Sequence, residues 1–366
     1  MLDNYFYHQI ATNSLRIEPT NDWPTKQLQL CKDAKVFSLL SPGTDASRML
    51  DEADGTLSRD TLIANDWLSL STYIEIANNC LTTAFVLTQR QAAVVRVAAS
   101  SNALAKERWL PKLFSGDLFS TVGISHLTTS RQHVKTPVLA ANPIDGGSKF
   151  ELSGYSPWVT GAAYADLIVV GATLDDGKQV LLAVNSKLPG ITPGPGMELM
   201  ALSASKTDQV HFDRVVVDSA DLLFGPNANV MRLGSGGGTG SLQTSALAIG
   251  LSLRAVDYLL NESTDRTDLS EPADQLQRES QALLKDLYDL VHQTPRVDPL
   301  LNSEQIRQRA NSLALRATQS TLMVAKGAGY MSGHPAERWC REALFFLVWS
   351  CPKSVSFANL CEFAKS

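Results

Sequence analysis

No apolar run in this chain of 366 residues reaches the roughly 20 residues that a membrane-spanning helix needs. There is no Lys/Arg-rich run either, and 32 basic against 37 acidic residues leave a net charge of −5. That balance argues against a nucleic-acid surface. The five cysteines, Cys31, Cys80, Cys340, Cys351 and Cys361, are odd in number and match no zinc or redox spacing. Reduced thiols in a cytoplasmic protein are expected. The opening Met1-Leu2-Asp3-Asn4-Tyr5-Phe6 lacks the basic-then-apolar pattern of a secretory leader, which points the same way. The six histidines include no H-E-x-x-H pair, so no metal site is expected.

What is present is an apolar fraction of 44%, enough for a sizeable core over two or three domains. Three textures follow one another. Residues 1–118 read as helical: an apolar-periodic stretch runs from Ala64 through Ile74, Leu81 and Leu87. A second helix is expected from Gln89 to Ser100, and a third from Asn102 that stops near Pro111. Residues 119–225 turn to strands. A buried run at 166–174 meets the Asp175-Asp176-Gly177 turn and returns over 179–184, which reads as a hairpin. Residues 210–217 alternate again. Residues 226–366 return to helices, expected at 241–261, 272–292, 303–327 and, as one or two pieces, 335–364. Segregated α, β and α regions exclude a doubly wound sheet and suggest a multidomain α+β chain ending in an antiparallel bundle.

Three segments carry possible chemistry. The Gly-rich tract 234–240 precedes a helix, where backbone N–H groups can cradle an anion. It lacks the P-loop ending and the preceding strand of a dinucleotide fingerprint, and the favoured reading is a flexible connector between the β region and the bundle. Pro157-Trp158-Val159-Thr160-Gly161 lies between strand-like segments. An indole suits stacking on a planar ring, and a Thr two residues along a strand would share its side. The alternative is a core tryptophan beside a turn. Lys326-Gly327-Ala328-Gly329-Tyr330 is a helix-stop signal that can also meet a phosphate.

These segments together resemble one family. Gly154-Tyr155-Ser156-Pro157-Trp158-Val159-Thr160 through Ala165-Asp166 resembles the "G-x-K-x-W-[IV]-T…A-D" stretch of acyl-CoA dehydrogenases. Ser203-Ala204-Ser205-Lys206-Thr207 through Val217 resembles its "R-x-S-x-T…V-x-F" segment, and Gly327 to Ala343 its "G-x-G-[YF]…P-[VA]-E-[RK]…R-D-A". The order holds over roughly residues 65–360. The resemblance implies an N-terminal α-helical domain, a middle β-barrel or sandwich and a C-terminal four-helix bundle. It implies FAD between the β domain and the bundle, its diphosphate touching a neighbouring subunit of a homodimer or homotetramer. Carried over, Ser125, Ser130, Trp158 and Thr160 would contact the flavin. Arg266 and the Lys326, Gly327 and Gly329 loop would serve the diphosphate and adenine side.

The departures from the family pattern matter as much. The family's catalytic Glu falls on Ser350, with Cys351 and Pro352 replacing the Gly and Thr after it. An alternative family base on the first bundle helix, and the substrate-side Arg next to it, fall on Gln243 and Thr244. A hydroxyl does not replace a carboxylate as base without its own activating partner. Cys351 would serve only as an activated thiolate. "T-E-P" has become Ser125-His126-Leu127, and the Phe of "R-x-x-F-G" is Leu269. The resemblance thus implies an FAD-dependent oxidoreductase on an acyl thioester or similar substrate, with atypical or weak desaturase chemistry and a possible electron-transfer or reductase partner. Two alternatives stand beside it: a flavin-dependent monooxygenase on the same fold, and a non-catalytic ligand-binding pseudoenzyme.

Overall fold

The structure is a computed structural model that describes residues 2–41, 59–128, 137–234, 241–293 and 300–364. Its first helices are α1 (Asn4–Thr20), α2 (Thr25–Asp33), α3 (Val36–Leu39), α4 (Arg59–Asn79), α5 (Leu81–Ala99) and α6 (Ala103–Ser115). Asp3 caps α1 by accepting from the Phe6 N–H at 2.8 Å.

Two expected boundaries are corrected. The long apolar stretch does not continue to Leu87. It breaks at Cys80, whose backbone is extended (φ −160°, ψ 101°) and whose Sγ accepts from the Thr83 N–H at the start of α5. A thiol standing in for a hydroxyl cap leaves no sequence signal. Pro111 does not stop α6 either. The helix runs on to Ser115 and ends at Gly116 (φ +76°), the left-handed stop that glycine favours.

The middle region holds β1 (Ser120–Gly123), α7 (Ser125–Thr128), β2 (Leu139–Ile144), β3 (Lys149–Thr160), β4 (Leu167–Thr173), β5 (Gln179–Asn185), β6 (Ile191–Pro193), β7 (Thr207–Asp218) and β8 (Leu222–Asn227). They form one eight-stranded sheet in the order β6-β7-β3-β2-β4-β5-β8, with β1 paired in parallel to β4. The expected β4–β5 hairpin is present, with Thr173 opposite Gln179. Among the described residues the sheet is not closed, since β6 and β8 end its path. The 157–162 segment is no connector between strands: Trp158 and Thr160 lie on β3 itself.

Alternate residues of β4 and β5 enter two cores. Ile168, Val170, Leu182 and Val184 pack within the sheet domain. Leu167, Val169, Leu181 and Ala183 pack against α5 and α6. A strand buried on both faces reads as a continuous apolar run, which is what 166–174 shows.

The chain closes with α8 (Leu242–Ser263), α9 (Ser270–His292), α10 (Ser303–Gly329), α11 (Pro335–Leu344) and α12 (Lys353–Phe363). The fourth helical stretch of the expected bundle is split by a 3₁₀ turn at Phe345–Leu347. Asn302 and Gln305 form a reciprocal capping box at the start of α10. Both helical regions share one apolar core, running from Phe6 and Ile10 through Leu81 and Phe85 to Leu247, Leu313 and Phe346. Helix α5 joins this core to the sheet. Its first half, Leu81 to Leu87, belongs to the helical core, while Ala93, Val94 and Val97 pack on the sheet. The middle of α5 therefore faces the junction of the three regions. No helix among the described residues is long and apolar enough to cross a membrane.

Candidate functional site

A cavity of about 580 Å³ opens at that junction. Its walls come from α4, the middle of α5, the β1–α7 corner, Trp158 of β3, the first turn of α8 and the turn after the 3₁₀ segment. The volume lies within the range of small-molecule sites.

Five of the residues singled out in the sequence meet here: Ser125, Trp158, Gln243, Thr244 and Ser350 all line the cavity. Trp158 is 50% exposed, a large apolar ring left open in a wall. Its φ is +55°, and the β3–β7 register shifts between Ser156 and Val159. This bulge interrupts the strand alternation that would have paired Trp158 with Thr160. Thr160 is buried, does not line the cavity, and its hydroxyl pairs with that of Thr207 at 2.9 Å. Gly161 closes the motif at φ +62°. A Cβ there would stand 2.2 Å from the Trp23 ring, so only glycine lets the α1–α2 connector pack beneath this strand end.

Ser125 opens α7, and its hydroxyl donates to the Pro157 carbonyl at 2.8 Å, tying that helix to β3 beside Trp158. His126, at the place of the family Glu in "T-E-P", turns away into the sheet. Its Nε2 donates to the Gly171 carbonyl at 2.8 Å. Burial pushes its pKa down, which favours the neutral ring.

The turn carrying Ser350 is held from both sides. Trp349 stacks on Phe345 with ring centroids 4.9 Å apart and meets Phe85 edge-on at 5.0 Å. From α10, the buried Arg307 donates through Nη2 to the carbonyls of Phe346 (3.2 Å) and Trp349 (3.1 Å). Asn311 adds a third bond, from Nδ2 to the Phe346 carbonyl at 3.1 Å. These donors satisfy carbonyls that the broken helix leaves without partners. Burial pushes the Arg307 pKa down to about 10, with the nearby Cys351 thiol opposing. Ser350 itself sits at φ +46°, an uncommon conformation for a side-chain-bearing residue.

The remaining expected residues lie elsewhere or outside the described residues. Cys351 does not line the cavity, and its Sγ accepts from the Ser356 hydroxyl at 3.3 Å. Arg266 follows α8 and donates from Nη1 to the Val324 carbonyl of α10 at 3.0 Å. Lys326, near the end of α10, has φ 54° and ψ −143°, backbone space that favours glycine. No atom lies within 4 Å of a Cβ built on Gly327, whereas Gly329 is buried. Ser130 and residues 235–240 of the Gly-rich tract lie outside the described residues.

Sequence reasoning missed the α4 and α5 walls. Asp66 and Ser69 come from α4; Thr88, Gln89, Gln91 and Arg96 come from α5. Gln91 Nε2 donates to the Leu40 carbonyl, which fixes its amide and leaves Oε1 buried without a partner. Burial pushes the Arg96 pKa down to about 10. The available signal was the polar run Thr88-Gln89-Arg90-Gln91 inside an otherwise apolar helix.

Comparison with known proteins gives a consistent result. No protein-family profile matches the chain. A curated relative, the probable acyl-CoA dehydrogenase YngJ of Bacillus subtilis (strain 168), is 24% identical over 257 residues, 65% of this chain and 66% of that protein. The match therefore spans just under two thirds of the relative's length. The structure of butyryl-CoA dehydrogenase from Megasphaera elsdenii superposes with a TM-score of 0.78 at 16% identity, over 99% of this chain and 96% of that one. Dibenzothiophene monooxygenase from Paenibacillus sp. A11-2 superposes with a TM-score of 0.74 at 15% identity, over 97% and 93%. The helical, sheet and helical regions around one cavity are thus the acyl-CoA dehydrogenase fold. In sequence the chain is similar to acyl-CoA dehydrogenases, at 23–24% identity to two of the relatives it matches.

Proposed function

We propose that this protein is an FAD-dependent oxidoreductase acting on an acyl thioester or acyl-like substrate, by a route in which Ser350 is not the base. The observation that carries the reading is the half-exposed Trp158 ring in the wall of a 580 Å³ cavity that also takes in the Ser350 turn and the start of α8.

The residues present fit a flavin in part. Trp158 offers an open indole face for a planar ring system. Ser125, on the adjacent α7, stands beside it with its hydroxyl anchored to β3. The Thr160 hydroxyl is engaged with Thr207 in this conformation, so its expected bond to the ring requires a rearrangement of that pair. Bound FAD supplies the hydride acceptor. Ser350 can hydrogen-bond a substrate carbonyl but holds no carboxylate. Gln243 and Thr244 offer an amide and a hydroxyl at the first turn of α8.

Arg266, Lys326, Gly327 and Gly329 do not line the cavity. We place them against the diphosphate and adenine of a neighbouring subunit's cofactor. The exposed Met323 (77%), Tyr330 (81%) and Met331 (67%) beside that loop suit a surface covered in a homo-oligomer. The reading tested first is cofactor binding. Purified protein should be yellow, release FAD on denaturation and bleach slowly with acyl thioesters under anaerobic conditions.

A second reading follows from the missing carboxylates. Monooxygenation does not need an α-proton base, and a monooxygenase shares the fold. Oxygen-dependent turnover with a flavin reductase, without anaerobic bleaching by any acyl thioester, would select it.

A further inference from the structure

We propose that Asp66 takes the α-proton of the bound acyl thioester, in place of the carboxylate absent at Ser350; the proposal rests on the acyl thioester reading above. Three observations lead to it. First, among the described residues that line the cavity, Asp66 is the one carboxylate, and Arg96 the one cation.

Second, helix packing brings Asp66 to the end of the cavity where the family pattern would hold a base. Gly250 of α8 lies against the Ile74 carbonyl, Ala77 and the Asn78 N–H of α4. Seven residues before Gly250 stands Gln243, and seven before Ala77 stands Leu70. Leu70, its neighbour Ser69 and Gln243 all line the cavity. The two helices therefore run in the same direction, and Asp66 lies within about one turn of the level of Gln243. The acidic group stands one helix over from the position that the resemblance identifies as the alternative base.

Third, although Asp66 is an exposed residue, the desolvation it does undergo at the cavity wall raises its pKa above the usual carboxylate value. A carboxylate so placed is a stronger base toward a weakly acidic C–H.

The step balances without an oxidant. A carboxylate oxygen of Asp66 accepts the proton as the Cα–H bond breaks, and the electron pair spreads onto the thioester oxygen. Return of a proton to Cα restores the substrate. In D₂O the net result is deuterium at the α-carbon, measurable apart from any flavin reduction.

The test uses the full chain supplied with FAD, butyryl-CoA as probe, mass spectrometry for deuterium uptake and calorimetry for binding. Wild type should bind the thioester and exchange its α-protons. Asp66→Asn should bind within about threefold yet exchange at least about 100-fold more slowly. Asp66→Glu should keep exchange well above that of Asp66→Ala, a comparison that holds even if the Asn variant folds poorly. Exchange in the Asn variant at the wild-type rate would overturn the proposal and leave the substrate reading intact. So would wild-type binding without exchange, or equal exchange in the Glu and Ala variants. Absence of thioester binding by wild type would overturn both.

Discussion

Gly250→Ala is the most direct probe of the helix pair that shapes the cavity. In a helix interior the exchange ordinarily stabilises by about 1 kcal/mol, because glycine has the poorer helix propensity. Here the added Cβ would stand 2.3 Å from the Ile74 carbonyl oxygen and 2.7 Å from the Ala77 Cβ. The nearer atom is backbone, so no side-chain rotation relieves it. A normal contact requires α4 and α8 to part by about 1 Å, and overpacking of this kind costs typically about 1–3 kcal/mol. The clash outweighs the propensity gain, leaving a net loss on the order of 1 kcal/mol and a melting temperature lower by a few degrees. Moving α4 also moves Asp66 and Ser69 relative to Gln243, so thioester affinity should weaken together with stability. Thermal denaturation and calorimetric binding on the same preparations test both effects. An alanine variant as stable as wild type, or more stable, with unchanged affinity would refute the close packing of α4 on α8.

Two further outcomes follow from the site and its supports. Ser350→Glu should speed anaerobic flavin bleaching by acyl-CoA about 100-fold, the scale of one positioned general base, read by stopped-flow absorbance; no gain would mean that the turn does not aim residue 350 at the substrate. Glu342 on α11 is buried, 3.7 Å from the Arg338 Nε. Burial raises its pKa to about 8, against the opposing Arg338 and Arg341 and with Glu18 and Glu337 adding to the rise. The folded chain then holds a proton that the unfolded chain releases. This stabilisation is complete below the ordinary glutamate range and is lost as pH rises through about 8. Urea denaturation at pH 6 and 8.5 should show wild type weakening more than Glu342→Gln; parallel behaviour of the two would contradict it.

The parts of the fold legible in the sequence are those where one physical signal acts alone. Helices α8, α9 and α10 begin and end within two residues of the stretches expected at 241–261, 272–292 and 303–327, and the β4–β5 hairpin follows from two apolar runs joined at Asp175-Asp176-Gly177. The α4–α5 break was hidden because Cys80 caps through its sulfur, and β3 because a bulge at Trp158 interrupts its alternation. At the site, the aligned motifs brought forward Trp158, Ser125, Gln243, Thr244 and Ser350, which meet at one cavity. Asp66 was not legible, because its place depends on the parallel packing of α4 and α8 through Gly250. His126 reads as an eroded motif in the sequence, but in the fold it is a buried anchor to the Gly171 carbonyl.

The central claim is that the cavity beside Trp158 holds a flavin and an acyl thioester while Ser350 supplies no base. The visible spectrum of the purified protein, followed during anaerobic titration with butyryl-CoA, tests it most directly. The account predicts the absorption of oxidised flavin, released as FAD, with slow bleaching that Ser350→Glu accelerates. A colourless protein that takes up no added FAD would contradict it.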